Sequence, residues 1–125
     1  MPMQSPLKGI RVLDLTNVLS GPFCCAQLAY LGAEVIKVEV PGRGDLARQL
    51  GADPALNAGL MGVSFLAQNA GKRSLTLNLK HARGKAILKR LVAGADVLVE
   101  NFRPGVMGRL GVGYETLRAE NPRLI

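Results

Sequence analysis

Ile10-Arg-Val-Leu-Asp-Leu15 is a short apolar run rich in branched residues, and such a run predicts a buried strand. Gly21-Pro22 predicts the first turn of a helix, which continues through Phe23-Cys-Cys-Ala-Gln-Leu-Ala-Tyr-Leu31 and stops at Gly32. A second apolar run, Ala33-Glu-Val-Ile-Lys-Val-Glu39, predicts the next strand. This order is typical of a βαβ unit with a right-handed crossover.

The rest of the chain continues the alternation of strands and helices. Residues 74–79 alternate between apolar and polar and predict a third strand, and residues 96–100 predict a fourth. Residues 41–54 are rich in glycine and proline and predict a long loop, which is followed by a helix near residues 59–68. Further helices are expected over residues 82–92, 104–110 and 114–120.

These elements predict an α/β fold, a Rossmann-like open and mainly parallel sheet with flanking helices. In the helix over residues 82–92, Ile87, Leu88 and Leu91 are expected to face the core. Arg123-Leu-Ile125 resembles the first residues of a further strand, and a half-paired parallel strand would expose backbone and apolar groups. The sheet is therefore expected to be incomplete at its C-terminal end, in a fragment of something longer.

The composition indicates one globular domain in a reducing compartment. The chain has 125 residues, 48% hydrophobic and 20% charged, which excludes collagen-like, coiled-coil and disordered classes. No apolar run reaches the ~20 residues of a membrane span, and no secretory signal is recognised. Cys24 and Cys25 are adjacent, which disfavours a mutual disulfide and a metal site. We therefore expect a cytoplasmic protein with no membrane partner.

Positive charge is concentrated in one segment. Sixteen Lys and Arg residues against nine Asp and Glu give a net charge of +7. This bias favours a phosphate-bearing or otherwise anionic partner, although a merely solvated face gives the same pattern. Residues 71–95 contain no acid and supply the surplus through Lys72, Arg73, Lys80, Arg83, Lys85, Lys89 and Arg90.

Familiar catalytic and nucleotide motifs are incomplete. Gly42-Arg-Gly44 and Gly111-Val-Gly113 do not fit a dinucleotide loop, and no lysine has the glycine spacing of a phosphate-cradling loop. Gly62-Val-Ser64 lacks the second glycine of a nucleophile elbow, and His81 is the sole histidine. Serine or cysteine hydrolase chemistry is therefore disfavoured, as is a metal site.

Nucleic-acid binding is also disfavoured. Proteins that bind single strands or RNA stack bases on aromatic side chains, whereas aromatic residues make up 4% of this chain. Phe23, Tyr30 and Phe65 are expected to be core residues of helices. A small phosphorylated ligand needs less: a few cations, backbone amides and an apolar slot.

Two segments at predicted strand ends meet these needs. Asn17-Val-Leu-Ser-Gly-Pro22 follows the first strand, where open α/β sheets bind ligands, although these residues are equally well explained as the start of a helix. Glu100-Asn-Phe-Arg-Pro-Gly105 follows the fourth strand. Phe102 offers a flat face there, and Arg103 and Arg109 offer cations.

Eight segments of the chain matter together, in their order and spacing: Leu7-Lys-Gly-Ile-Arg-Val-Leu-Asp-Leu15, Ser20-Gly-Pro-Phe23, Leu31-Gly-Ala-Glu-Val-Ile-Lys-Val-Glu39, Gly42-Arg-Gly-Asp45, Gly71-Lys-Arg-Ser74, Leu77-Asn-Leu-Lys80, Ala95-Asp-Val-Leu-Val-Glu-Asn-Phe-Arg-Pro-Gly105 and Glu120-Asn-Pro-Arg-Leu-Ile125. This set resembles the N-terminal part of the family III CoA-transferases, a superfamily that includes formyl-CoA transferase and α-methylacyl-CoA racemase. The resemblance extends over essentially the entire chain.

The resemblance implies a site for coenzyme A (CoA). CoA or acyl-CoA is then a substrate, a carboxylic acid is the second substrate, and no prosthetic group is implied. Formyl-CoA transferase has an arginine where this chain has Val40, and Arg43 is a candidate to replace its contact. With Arg103 added from the second of the two segments above, the predicted site comprises Leu19, Ser20, Leu77, Leu79, Lys80, Asn101, Phe102, Arg103 and Arg109.

The resemblance also implies that the chain is an incomplete enzyme. The family's nucleophile is an aspartate beyond residue 125, and none of the chain's own aspartates matches its surroundings. Residues 1–125 are therefore expected to be the N-terminal CoA-binding segment of a larger two-domain enzyme, inactive alone. The complete enzyme is expected to form an interlocked homodimer.

Two alternatives stay open. A racemase of the same superfamily would use the same CoA site to remove and return an α-proton, and a downstream histidine would distinguish it from a transferase. A naturally short, non-catalytic CoA-binding module would instead require the gene to stop after Ile125.

Overall fold

A four-stranded parallel sheet organises the computed structural model, which describes residues 4–125. The sheet has the order β3-β2-β1-β4, with β1 at Arg11–Asp14, β2 at Glu34–Glu39, β3 at Arg73–Thr76 and β4 at Val97–Val99. The predicted α/β class, a parallel sheet with flanking helices, is confirmed. The first three residues of the predicted segment 1–125 lie outside the described residues.

The helices are short and flank the sheet. The longest, α4, has 12 residues, and none in the described part of the chain is long and apolar enough to cross a membrane. A 3₁₀ helix at Leu46–Gln49 follows β2. The α-helices are α1 (Ser20–Tyr30), α2 (Pro54–Ala58), α3 (Val63–Asn69), α4 (Ala82–Ala93), α5 (Val106–Arg109) and α6 (Tyr114–Glu120).

All the strand pairings in the sheet are parallel. Leu13 of β1 lies opposite Ile36 of β2 and Leu98 of β4, and Val38 of β2 lies opposite Leu75 of β3. Parallel neighbours need a crossover connection, and α1 lies in the one between β1 and β2, as predicted. Because the carboxyl ends of parallel strands share one edge of the sheet, the segments that follow the strands meet there.

Alternate residues of β1 pack into two hydrophobic cores on opposite faces of the sheet. Val12 is fully buried together with Val35 of β2 and Cys25 of α1. Leu13 is fully buried on the other face, in the same cluster as Leu88 of α4. Burial on both faces explains why neighbouring residues at the centre of each strand are apolar, Val12 and Leu13 in β1 and Val35 and Ile36 in β2.

The segment after β2, predicted as a long loop over residues 41–54, is mostly non-helical but contains the 3₁₀ helix at Leu46–Gln49 and the first residue of α2. Asp45 accepts a hydrogen bond from Ala47 N at the start of the 3₁₀ helix. Asp53 does the same for α2, where proline occupies the first helical position. The helix predicted near residues 59–68 is present as α3 but begins later, at Val63. Side-chain caps thus start two short helical elements in a segment rich in breakers, whereas α3 begins after Gly62 without a side-chain cap.

Three predicted core residues are on the surface instead. Ile87 is 41% exposed because α4 buries Gly84, Leu88 and Val92, which lie one helical turn apart. Phe23 is 56% exposed and Tyr30 is 62% exposed, since α1 directs Cys25 and Ala26 inward. Phe65, by contrast, is buried as predicted.

The last residues extend the edge of the sheet. Leu98 N of β4 donates to Ile125 O at 2.8 Å, and Ile125 N donates to Asp96 O at 3.1 Å. Leu124 is buried in the core that contains Leu13. The start of a further strand, predicted at Arg123-Leu-Ile125, therefore pairs with β4.

Candidate functional site

A cavity of about 420 Å³ opens at the carboxyl edge of the sheet. Its lining comes from the segments that follow β1, β2, β3 and β4, which is where open α/β sheets place ligands. The lining residues are Leu15, Asn17, Val38, Glu39, Val40, Pro41, Arg43, Leu77, Asn78, Leu79, Lys80, Phe102, Val106 and Leu110.

The walls of the cavity are mainly apolar, with two cations at the rim. Leu77 is buried, and Leu79 and Phe102 are half-buried beside it. Arg43 and Lys80 are exposed, and neither forms an ion pair among residues 4–125. Such a surface suits a ligand with an apolar or heterocyclic body and a negative charge.

The carboxylate in the cavity wall is already neutralised. Glu39 receives two hydrogen bonds from Arg48, at 2.7 and 2.8 Å, and one from Asp45 N at 2.8 Å. Burial opposes ionisation of this carboxyl, but the hydrogen bonds from Arg48 and Asp45 hold the pKa of Glu39 below its usual value. The guanidinium of Arg48 also lies 3.7 Å from the ring centre of Phe65. The net charge facing a ligand is therefore positive.

Four predicted site residues line the cavity together, namely Leu77, Leu79, Lys80 and Phe102. The segments after β3 and after β4 thus line the same cavity. Of these, Phe102 is fixed by a local hydrogen bond, in which its backbone N donates to Glu100 Oε2 at 2.8 Å.

The other predicted site residues lie outside the cavity lining. Asn101 contacts it through Asn17, whose backbone N donates to Asn101 Oδ1 and whose O accepts from Asn101 Nδ2, both at 2.9 Å. Arg103 and Arg109 are exposed, and Arg109 ends α5, the helix whose first residue, Val106, lines the cavity.

The turn between β1 and α1 leads into a helix, as one interpretation of its sequence predicted. Leu19 caps α1 and is exposed, and Ser20 is the first helical residue. A Cβ atom on Gly21 would lie 2.3 Å from Thr16 Cβ, so glycine is needed for the helix to pack here. Val18, although β-branched, has a left-handed φ of 72°, which is a strained conformation.

Part of the basic segment serves the fold. Lys72 Nζ lies 2.7 Å from Asp14 Oδ2 and also donates to Pro22 O and Asn69 Oδ1, each at 2.8 Å. Burial lowers the pKa of Lys72, while Asp14 opposes that effect. Arg73 pairs with Glu34. The expectation that Lys72 belongs to a ligand-facing surplus is wrong, because its three hydrogen bonds are all made inside the protein.

Two polar residues near the cavity were missed by sequence reasoning, the buried Lys37 and the half-buried Asn17. Lys37 Nζ lies 2.9 Å from Asp45 Oδ2 and donates to Thr16 O at 2.8 Å. The signal was present in the sequence, because a lysine in the middle of an apolar parallel strand needs a buried partner. Asn17 was included only as part of a turn, yet its side chain lies at the cavity.

Comparison with known proteins gives one consistent result. The family model "CoA-transferase family III" matches residues 7–125. Formyl-CoA:oxalate CoA-transferases of Escherichia coli O139:H28 and of Shigella boydii serotype 18 are each 48% identical over 124 residues, 98% of this chain. The chain spans 29% of the length of these curated relatives.

Solved structures agree. A hypothetical protein from Mycobacterium tuberculosis superposes with a TM-score of 0.87 at 45% identity, covering 98% of this chain and 32% of its own. A CAIB/BAIF family protein from Brucella suis superposes with a TM-score of 0.85 at 38% identity, again covering 98% of this chain and 32% of its own. With the family model matched over residues 7–125, the chain belongs to CoA-transferase family III.

Proposed function

We propose that this chain is the CoA-binding N-terminal part of an enzyme that moves CoA from an acyl-CoA donor to a carboxylic acid acceptor. One observation carries the proposal: the cavity at the carboxyl edge of the sheet combines apolar walls with Lys80 and Arg43 at its rim. The relatives named formyl-CoA:oxalate CoA-transferase favour a transferase over a racemase.

The chemistry of CoA matches this cavity. CoA joins an adenine ring to several phosphate charges and a long pantetheine arm that ends in a thiol. The volume of about 420 Å³ is within the usual range of ligand pockets and suits part of such a molecule. We assign the adenosine to the slot between Leu79 and Phe102, and the phosphates to Lys80 and Arg43, whose cations suit negatively charged oxygens.

The remaining predicted residues are assigned to the arm and the outer phosphates. Leu19 and Ser20, at the exposed start of α1, would border the pantetheine arm. Arg103 and Arg109 would reach outer phosphate oxygens, and the planar guanidinium of Arg109 suits bidentate contact. Asn101 acts by holding Asn17 at the cavity.

Transfer needs a nucleophile that this chain does not offer. In the reaction expected from the resemblance, a carboxylate oxygen attacks the thioester carbon, the C–S bond breaks, and the electron pair leaves with CoA as a thiolate. A mixed anhydride between acyl group and enzyme remains. We place that carboxylate beyond residue 125, because each aspartate in the chain already has a structural partner: Asp14 with Lys72, Asp45 with Lys37, Asp53 with Ala55 N and Asp96 with Arg11 N.

The role left to this chain is to hold CoA while the acyl group is exchanged. Fixing a leaving group near the reacting carbon lowers the entropic part of the barrier to its return. On this proposal the 125-residue chain binds CoA without turning it over.

Isothermal titration of the chain with CoA tests the proposal directly. Saturable binding is expected, and its affinity should fall as salt is raised, because the phosphates meet exposed cations. CoA at 100 times its dissociation constant should add about 2.7 kcal/mol to the free energy of unfolding. Absence of both binding heat and thermal stabilisation at millimolar CoA would reject the proposed function.

A further inference from the structure

A buried carboxylate joins the two loops that border the cavity. The first loop, residues 15–19 after β1, carries Asn17, and the second, residues 40–44 after β2, carries Arg43. Asp45 immediately follows the second loop and is fully buried, with 0% of its surface exposed.

Each oxygen of this carboxylate has a defined task. Asp45 Oδ1 accepts hydrogen bonds from Val18 N and from Ala47 N, both at 2.9 Å. Asp45 Oδ2 lies 2.9 Å from Lys37 Nζ, and Lys37 in turn donates to Thr16 O at 2.8 Å. The pair therefore holds two backbone groups of the first loop.

The second loop is attached to the same point. Asp45 N donates to Glu39 Oε2 at 2.8 Å. This hydrogen bond joins the residues on either side of the loop of residues 40–44. Glu39 is in turn held by Arg48. Asp45 thus holds the Asn17 loop through its carboxylate and the Arg43 loop through its backbone N.

From this arrangement we infer that Asp45 is a positioning residue for the CoA site, fixing the Asn17 loop and the Arg43 loop relative to each other across the cavity. The inference rests on the proposed function. Val18 gives it a physical reason: a β-branched residue at a φ of 72° keeps this conformation only when its surroundings impose it. The hydrogen bond from Val18 N to Asp45 is the contact that imposes it here.

The test distinguishes the effect on CoA binding of the hydrogen bond from Val18 N to Asp45 from the effect of the buried ion pair of Asp45 and Lys37. Removing only one member of a buried ion pair leaves an unpaired charge, so both members are changed together. The variant Lys37→Met with Asp45→Asn keeps an amide oxygen that accepts from Val18 N, whereas Lys37→Met with Asp45→Ala removes that acceptor. The first double variant is expected to bind CoA about tenfold more tightly than the second.

Lys72→Met with Asp14→Asn is the matched control, because it also replaces both members of a buried ion pair, and neither residue lines the cavity. It should lower the melting temperature and leave the CoA dissociation constant of the remaining folded protein within about twofold of the parent. If the two double variants bind CoA equally well while the parent chain binds it, the positioning role is wrong and the proposed function survives. If the parent does not bind CoA, both are wrong.

Amide hydrogen exchange on the unaltered chain tests the inference even if the variants do not fold. The Val18 amide should exchange much more slowly than an unprotected loop amide, and CoA should slow it further. Exchange of Val18 at the unprotected rate, with and without CoA, would overturn the inference.

Discussion

Asn101 holds the backbone of Asn17 by two hydrogen bonds of 2.9 Å, donating from Nδ2 to Asn17 O and accepting at Oδ1 from Asn17 N. The two residues lie 84 positions apart in the chain and follow β4 and β1, which are neighbours in the sheet. Asparagine is well suited to this task, because one side chain supplies both a donor and an acceptor.

Replacing Asn101→Ala should therefore weaken CoA binding about tenfold, since the Asn17 backbone loses both partners. Unfolding should change little, because both groups can bond to water instead. Titration calorimetry and thermal melting measure the two effects. Asn121→Ala is a control: it removes bonds to Val92 O and Ala95 O far from the cavity, and should lower stability without changing affinity.

Lys80→Ala should weaken CoA binding and also reduce its dependence on salt, because one cation at the rim is lost. Lys89→Ala removes the same charge from α4 away from the cavity and should do neither. Titrations of the three proteins at low and high salt make the comparison. Equal losses in both variants would indicate a general charge effect instead of a site at Lys80.

The stability of the chain should fall in acid partly through Glu39. Its pKa in the folded protein lies below the ordinary value of 4.5, so the folded state binds fewer protons than the unfolded state. The stabilisation is therefore fully present above 4.5 and is lost as pH falls through the lower, folded-state pKa. Urea denaturation from pH 7 to about pH 3 should show a shallower decline for Glu39→Gln. If the free energy of unfolding falls with pH as steeply in Glu39→Gln as in the parent, Glu39 is not a source of the acid sensitivity.

Gly84→Ala should lower the free energy of unfolding by roughly 1–3 kcal/mol. An added Cβ atom would lie 2.1 Å from Asn78 O, so α4 would have to move away from the turn that carries Lys80. Gly108→Ala is the matched control in α5, where nothing lies within 4 Å of the new atom. The control should be neutral or slightly stabilising, and urea denaturation of both variants would decide the matter.

The adjacent cysteines should react very differently with iodoacetamide. Cys24 is exposed and Cys25 is buried, and burial, with the nearby Asp14, raises the pKa of the Cys25 thiol to about 12. Mass spectrometry of the folded chain should find one alkylated thiol, located at Cys24, and two after denaturation. Rapid labelling of Cys25 in the folded chain would contradict its placement against β1.

The two central strands, β1 and β2, could be predicted from sequence because strands buried on both faces need short apolar runs between helices. The edge strand β3 is mostly exposed and was predicted from its alternation of apolar and polar residues. The segment after β2 could not be predicted, since its short helices depend on Asp45 and Asp53 capping backbone amides and not on apolar periodicity. Exposed Phe23 and Tyr30 were mistaken for core residues because hydrophobicity alone does not identify the inward side of a helix.

For the candidate site, the sequence predicted which strand ends border a common cavity, but not which of the charged side chains have partners inside the protein. Lys80 and Phe102 face one cavity, as expected from the ends of parallel strands. Lys72 has the same charged group as Lys80 and lies in the same acid-free segment, yet it forms a buried ion pair with Asp14. Whether the charge of a lysine is available to a ligand depends on which residue it contacts in the folded protein. For Lys72 that residue is Asp14, which is 58 positions away in the sequence.

The cavity takes a share of its wall from the end of every strand, so it exists only when the entire sheet has assembled. A protease cut or a local opening at any one of those four connections would abolish occupancy, even if the other three kept their shape. On the proposed function, CoA binding should accordingly be lost whenever any part of the sheet unfolds, so that retention of CoA would report whether the sheet is intact.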